Sequence, residues 1–298
     1  MSMIKKKNEV LMGFYAALDV GGSSIKSACV GEDGRIISEK YETPSRSGES
    51  ADDIFGALAE SLSKLPYRQA LGVAVGFPGP FDYERGISLM NGIGKFDAIY
   101  GERVTDHLAK RLDALPEMRY ANDASLYALG EAVFGEGRGY SRVFAVCIGT
   151  GIGSGFCSDG KLVTSGEDVP ENGWIYNTPC LDGIADEYAS AAGIRRAMRA
   201  LPELDGFPDV KELADAARNG NESARAVFDR FSLILSDILL PYAKRFCADV
   251  VVLGGNVSRN ADLFASPLAP SLERENIKLA VSKKFADASL SAAPLLFK

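Results

Sequence analysis

The stretch ALDVGGSSIKSACVGEDGRI (residues 17–36) returns in kind as AVCIGTGIGSGFCSDGKL (residues 145–162). Each copy is an apolar run, a glycine-rich turn, a second short run and an Asp-Gly corner, Asp33-Gly34 in one and Asp159-Gly160 in the other. Asp-Gly between apolar runs signals a hairpin, because the tight turn needs the positive φ that glycine tolerates. One glycine turn can be no more than a flexible corner. Two matched copies in 298 residues predict two similar domains facing each other, each with a loop whose backbone N–H groups can approach a phosphate. That pairing reads as a nucleotide clamp.

Composition narrows the classes. Hydrophobic residues make up 46% and charged residues 24%, ordinary values for a soluble globular chain. The net charge of −7 argues against a nucleic-acid binder, which carries a basic face. An anionic ligand then needs local help from backbone N–H groups, a few lysines or a metal ion. The five cysteines (Cys29, Cys147, Cys157, Cys180 and Cys247) are scattered and form no CxxC pair, so they read as buried free thiols in a reducing compartment. Lys5–Lys7 before VLMGFYAAL imitates a secretory signal, but the apolar run continues into Asp19-Val20-Gly21-Gly22. It reads as a charged tail and a core strand. No apolar run approaches the ~20 residues of a membrane span, and a cytoplasmic protein with no membrane partner is expected.

Apolar residues at Ile54, Leu58, Leu62 and Leu65 recur at helical spacing. ALGVAVGFPGPFD predicts a buried strand ending in a rigid turn, RVTDHLAKRL a helix, and EMRYANDASLYALGEAVFG a strand that enters a helix at Asn122-Asp123. Residues 184–247 read as mostly helical, punctuated by Pro202, Pro208 and Pro241, and ADVVVLGGNVS as a last buried strand. The expected division is an N-terminal α/β domain, 1–120, and a C-terminal α/β domain, 121–298. The single histidine, His107, lies on a charged helix and reads as surface or half-buried, which disfavours Ser-His-Asp hydrolysis and two-histidine metal sites.

Five segments in this order, LDVGGSSIKSACV, GVAVGFPGP, ANDASLYALGEAVFG, CIGTGIGSGF and VVLGGNVSRN, resemble the ROK family (repressor, open reading frame, kinase) of sugar kinases and sugar-responsive repressors. The resemblance spans about residues 14–295. It implies the actin–hexokinase fold: two actin/ribonuclease H-like α/β domains forming a clamshell around a central cleft. About 15 residues precede the first strand, so the repressor branch with its helix-turn-helix domain is not expected.

The resemblance implies ATP-dependent phosphorylation of a hexose or related sugar, with MgATP as cofactor, a small-molecule sugar as partner and a homodimer as one expected assembly. Gly21, Gly22, Gly149, Gly151 and Gly153 would let backbone N–H groups reach the phosphates, with Ser23, Ser24 and Thr150 adding hydroxyls and Lys26 a charge. Lys26 can equally be a solvated side chain. Asp19 matches the family's acid that holds Mg²⁺ through water. Gly254 and Gly255 match the loop under the adenosine. Asp123 matches the general base for the attacking hydroxyl, with Asn122 beside it as a substrate contact. A plain helix N-cap is the alternative for this pair.

Departures from the family pattern concentrate in PENGWIYNTPCLDGIADEYASAAG (residues 170–193). Glu171 and Gly173 fit, but Trp174 stands where a histidine is usual, Asp186 stands where a sugar-contacting glutamate is usual, and the cysteine-rich zinc loop keeps only Cys180. No zinc site is therefore expected. Glu171, Trp174 and Asp186 remain substrate-binding candidates, with Trp174 either a stacking platform for a sugar or a core residue. These changes point away from plain glucose. An N-acetylamino-sugar kinase and a catalytically weak sugar-binding regulator are the alternatives.

Overall fold

A computed structural model describes residues 13–285 and 287–298, so the Lys5–Lys7 tail lies outside the described residues. The chain divides into two compact units. One ends at Asp123 and takes back Ala293–Lys298; the other is Ala124–Ala292. The last six residues return to the first unit, where Phe297 stacks on Tyr15 at 4.8 Å and the Leu296 carbonyl accepts from the Arg119 guanidinium at 2.7 Å.

The first unit is built on β1 (Phe14–Val20), β2 (Ser24–Gly31), β3 (Tyr41–Pro44), β4 (Val73–Phe77) and β5 (Met118–Asn122). Their spatial order is β3-β2-β1-β4-β5, with β1 to β3 antiparallel and β4 and β5 parallel to β1. The second unit repeats this with β6 (Arg142–Ile148), β7 (Ile152–Ser158), β8 (Lys161–Val163), β9 (Val250–Gly254) and β10 (Lys278–Val281), in the order β8-β7-β6-β9-β10 and with the same strand directions. The recurrence in sequence is therefore a duplication of topology. At the second corner both Asp159 and Gly160 have positive φ, 49° and 72°, as a type I′ turn requires.

Each unit has its own core. In the first, Ala16, Leu18, Val73, Val75 and Phe77 of the parallel strands pack with Ile54, Phe55, Leu58 and Leu62 of the helix Ala51–Ser63. Ser50 caps that helix, its hydroxyl accepting from the Asp53 N–H at 3.3 Å. In the second, Phe144, Val146, Phe156, Val251 and Leu253 pack with Phe228, Phe231, Leu235 and Leu239 of the long helix Glu222–Arg245. Pro241 lies inside that helix and does not end it. Proline removes one backbone hydrogen bond, but Ile238, Leu239 and Ala243 are buried on either side of it and hold the helix by packing. Pro202 opens a short 3₁₀ turn, and Pro208 precedes the Asp209 cap of the helix Val210–Arg218. Among the described residues all cysteines are free thiols, with Cys29 and Cys157 buried and Cys247 exposed. His107 is half-buried, stacked on Phe55 at 3.9 Å and paired with Glu102 at 2.7 Å. No helix among the described residues is long and apolar enough to cross a membrane.

Candidate active site

In parallel sheets ligands bind beyond the carboxyl ends of the strands. In the first unit those ends are Asp19 on β1, Gly76-Phe77 on β4 and Asn122 on β5, and they are adjacent: Asp19 is in register with Gly76, and Phe77 with Asn122. The β1–β2 turn is tight, the Gly21 N–H donating to the Ser24 carbonyl at 2.9 Å. The Gly22 carbonyl is tied down by the hydroxyls of Ser45 at 2.7 Å and Ser47 at 2.5 Å. The other side of Gly22 is open, since an added Cβ would meet only the Lys95 Cδ at 3.7 Å. The loop thus has a fixed back and a free front.

Lys26 is in register with Asp19 on one neighbouring strand and Glu42 on the other. Residues in register across a sheet share a face, so this cation stands in a row with two carboxylates. Ser24 donates to Glu42 at 2.5 Å; its hydroxyl is committed to the sheet, whereas Ser23 is exposed at the loop tip.

Asn122 ends β5 and Asp123 opens the helix Asp123–Phe134. The Asn122 amide donates to the Tyr83 hydroxyl at 3.2 Å, which donates to the Phe77 carbonyl at 3.1 Å. Burial pushes the Tyr83 phenol well up; the Asn122 hydrogen bond lowers it and the nearby Asp123 carboxylate raises it. Tyr83 therefore stays protonated, a donor beside Asn122-Asp123. The sequence reading missed it. Its signal was position, since GFPGPFDYERG (residues 76–86) runs on from the carboxyl end of β4.

In the second unit the β6–β7 turn, Gly149–Gly151, is closed by the Gly149 N–H donating to the Gly151 carbonyl at 2.8 Å. Gly149 is open at its front, and Thr150 is exposed. Behind the turn stands Asp186. Its Oδ1 accepts the Ile152 N–H at 2.8 Å and would lie 2.4 Å from a Cβ on Gly151. The Gly149 carbonyl accepts the Ala191 N–H at 2.9 Å, so the segment around Asp186 holds the loop at two points. Gly153 packs against Ala124.

At the carboxyl end of β9, a Cβ on Gly254 would stand 2.0 Å from the Tyr127 hydroxyl, and one on Gly255, whose φ is 80°, would stand 2.4 Å from the Ile148 carbonyl oxygen. Both glycines are therefore required for packing under the loop. Tyr127 and Glu131, one helical turn apart, belong to a buried polar cluster that the sequence reading also missed. Glu131 is fully buried, accepting from the Ser282 hydroxyl at 2.5 Å and the Glu136 N–H at 2.9 Å. Burial raises its carboxyl; the bonds from Ser282 and Glu136 lower it.

Glu171 is exposed at the start of the 3₁₀ turn Glu171–Gly173. Trp174 follows, partly buried, 6.2 Å from Tyr176, with an indole N–H that is shielded and has no acceptor among the described residues. The Ser154 hydroxyl, donating to the Gly173 carbonyl at 2.7 Å and accepting from the Ile175 N–H at 3.1 Å, fixes this segment to β7. Among the described residues no group of three or more His, Cys, Asp or Glu side chains is placed to hold a metal ion.

The fold and these loops define a class: duplicated α/β units, each with an open glycine turn at the carboxyl edge of its sheet. Residues 15–291 match the ROK family, and the chain belongs to it. It is similar to a glucokinase of Thermotoga maritima, 31% identical over 272 residues and covering 84% of each chain. It is also similar to an N-acetylgalactosamine kinase of Shewanella sp., 28% identical over 85% of this chain and 84% of the relative. The crystal structure of a ROK family glucokinase from Streptomyces griseus, in complex with glucose and AMPPNP, shares the fold with a TM-score of 0.76 at 24% identity, over 95% of this chain and 99% of that one.

Proposed function

We propose that this protein transfers the γ-phosphoryl group of MgATP to a hydroxyl of a hexose or an N-acetylamino sugar. The observation that carries the reading is the Asn122-Asp123 pair at the carboxyl end of β5, fixed by Tyr83, in a chain whose ROK relatives include sugar kinases of both kinds. Phosphoryl transfer asks a protein mainly to position the reactants and to offset charge. Asp123 is assigned as the general base, taking the proton of the attacking hydroxyl. Asn122, Glu171 and Trp174 are assigned to the sugar. The open fronts of Gly22 and Gly149 suit phosphate oxygens, which need closely approaching N–H donors. Ser23 and Thr150 stand at the loop tips as further donors, and Lys26 offers its charge in the same row as Asp19. Asp19 is the carboxylate that would hold Mg²⁺ through water; when bound, the ion would offset phosphate charge.

The test is a panel assay with coupled ADP detection over glucose, mannose, allose, fructose and their N-acetylamino relatives, each with MgATP and with polyphosphate as the other donor. Turnover on at least one sugar with MgATP is expected. A second reading, a sugar-binding regulator with weak catalysis, draws on Trp174 and Asp186, which replace two usual sugar contacts. Sugar binding by calorimetry with negligible turnover across the whole panel would favour it.

A further inference from the structure

We infer that Asp186 is a positioning residue for the Gly149–Gly151 loop and not a contact to the sugar. The inference rests on the kinase reading only for what the loop binds; the anchoring itself stands on geometry. The Asp186 Oδ1 accepts the Ile152 N–H at 2.8 Å, the first backbone donor beyond the turn. The same oxygen fills the space that a side chain on Gly151 would need, 2.4 Å from an added Cβ, with Oδ2 at 3.3 Å.

Asp186 is itself held. Its N–H donates to the Tyr176 carbonyl at 2.9 Å, and its carbonyl accepts the Ser190 hydroxyl at 2.6 Å. One residue past Ser190, the Ala191 N–H reaches back to the Gly149 carbonyl at 2.9 Å. The turn is thus fixed from behind at Gly149 and at Ile152, leaving its front free for a ligand.

With Oδ1 already touching the volume next to Gly151, one more methylene would drive the carboxylate into the turn. Asp186 fits there because residue 151 is a glycine. A charge-assisted hydrogen bond to a backbone N–H is among the stronger single contacts in a protein. Its loss would release the loop without removing any atom that touches a sugar.

The test combines three measurements on wild type, Asp186→Asn, Asp186→Ala, Gly151→Ala and the Gly151→Ala/Asp186→Ala double variant: amide exchange at Ile152, calorimetric binding of MgAMPPNP, and calorimetric binding of the sugar preferred in the panel. In Asp186→Ala, exchange at Ile152 should accelerate and nucleotide affinity should fall about fivefold to tenfold, the scale of one ordinary hydrogen bond. Sugar affinity should stay within about twofold, since no sugar contact is removed. Asp186→Asn keeps an acceptor oxygen and should stay near wild type in all three. Gly151→Ala should resemble Asp186→Ala, and the double variant should cost less than the sum, because the clash has been removed. Unchanged exchange at Ile152 in Asp186→Ala, additive effects in the double variant, or a loss confined to sugar affinity would each overturn the inference. Wild type that binds no nucleotide would instead defeat the kinase reading, while exchange at Ile152 would still decide whether Asp186 anchors the loop.

Discussion

The Tyr83 hydroxyl accepts the Asn122 amide at 3.2 Å and donates to the Phe77 carbonyl at 3.1 Å, joining the ends of β4 and β5 through one side chain. Tyr83→Phe removes both bonds and leaves the ring in place. A buried hydrogen bond is worth about 1 kcal/mol net, with a further cost for the partner left unpaired. Stability should fall by about 1–2 kcal/mol in urea unfolding, and kcat/KM should fall about tenfold as Asn122 loses its orientation. Activity equal to wild type would show that Tyr83 has no part in setting the Asn122-Asp123 geometry.

Asp123→Asn keeps the size of the side chain and removes its basicity. Turnover should drop by about two to three orders of magnitude, the usual range for a positioned base, with sugar affinity changed far less, because the loss falls on the transition state. A variant that keeps about a tenth of wild-type turnover, outside that range, would take Asp123 out of the role.

Much of this was legible in the chain itself. The glycine turns, the Asp-Gly corners and the Asn122-Asp123 junction are local signals, set by φ preferences and by hydrophobic period, and they lie where the sequence reading put them. Tyr83 was not legible, because its partner is 39 positions away and nothing local distinguishes it from a surface tyrosine. Asp186 stood out in the sequence only as a sugar-contact candidate; its bond to Ile152 was not legible, because it depends on tertiary packing. Pro241 was read as punctuation because local propensity was weighed without the buried face around it. The return of residues 293–298 had no periodic pattern to announce it.

Glu131 gives a pH signature. Its folded-state carboxyl is raised, chiefly by burial, above the value it has in the unfolded chain. The folded state therefore holds this proton more tightly, and stability falls as pH rises from the ordinary glutamate range through the folded value. Glu131→Gln has nothing to titrate at this site. Measured by thermal unfolding between about pH 5 and pH 8, the variant should gain on wild type as pH increases, whatever constant offset the lost acceptor introduces. A gap that does not change with pH would mean that Glu131 is already ionised in the folded protein throughout that range.

Trp174 carries a shielded indole N–H with no acceptor among the described residues. Leaving such a donor unpaired costs about 1–3 kcal/mol, which a ligand oxygen reaching it would recover. Trp174→Phe should weaken the preferred sugar by at least about fivefold on that basis, and Trp174→His should reorder kcat/KM across the panel. If neither variant alters the ranking or the rates, Trp174 is a core residue that takes no part in choosing the substrate.

Metal dependence separates the two ions that the family resemblance raises. Chelation followed by dialysis should abolish turnover, and added Mg²⁺ should restore it, because phosphate charge must be offset before the hydroxyl attacks. Metal analysis of the purified protein should find zinc far below one equivalent. Near-stoichiometric zinc would overturn the reading of residues 171–186.

Residues 293–298 complete the first unit, yet the ribosome makes them only after the whole of Ala124–Ala292. The Tyr15–Phe297 stack and the Arg119–Leu296 bond cannot form while the intervening stretch is being translated. Birth order and finishing order are therefore reversed: the unit that emerges first is the last to be closed, and the later, contiguous unit can reach its final form before it. A nascent chain stalled anywhere before residue 293 would carry an N-terminal sheet with Tyr15 and Arg119 still uncovered, a state in which proofreading by chaperones has the most to act on.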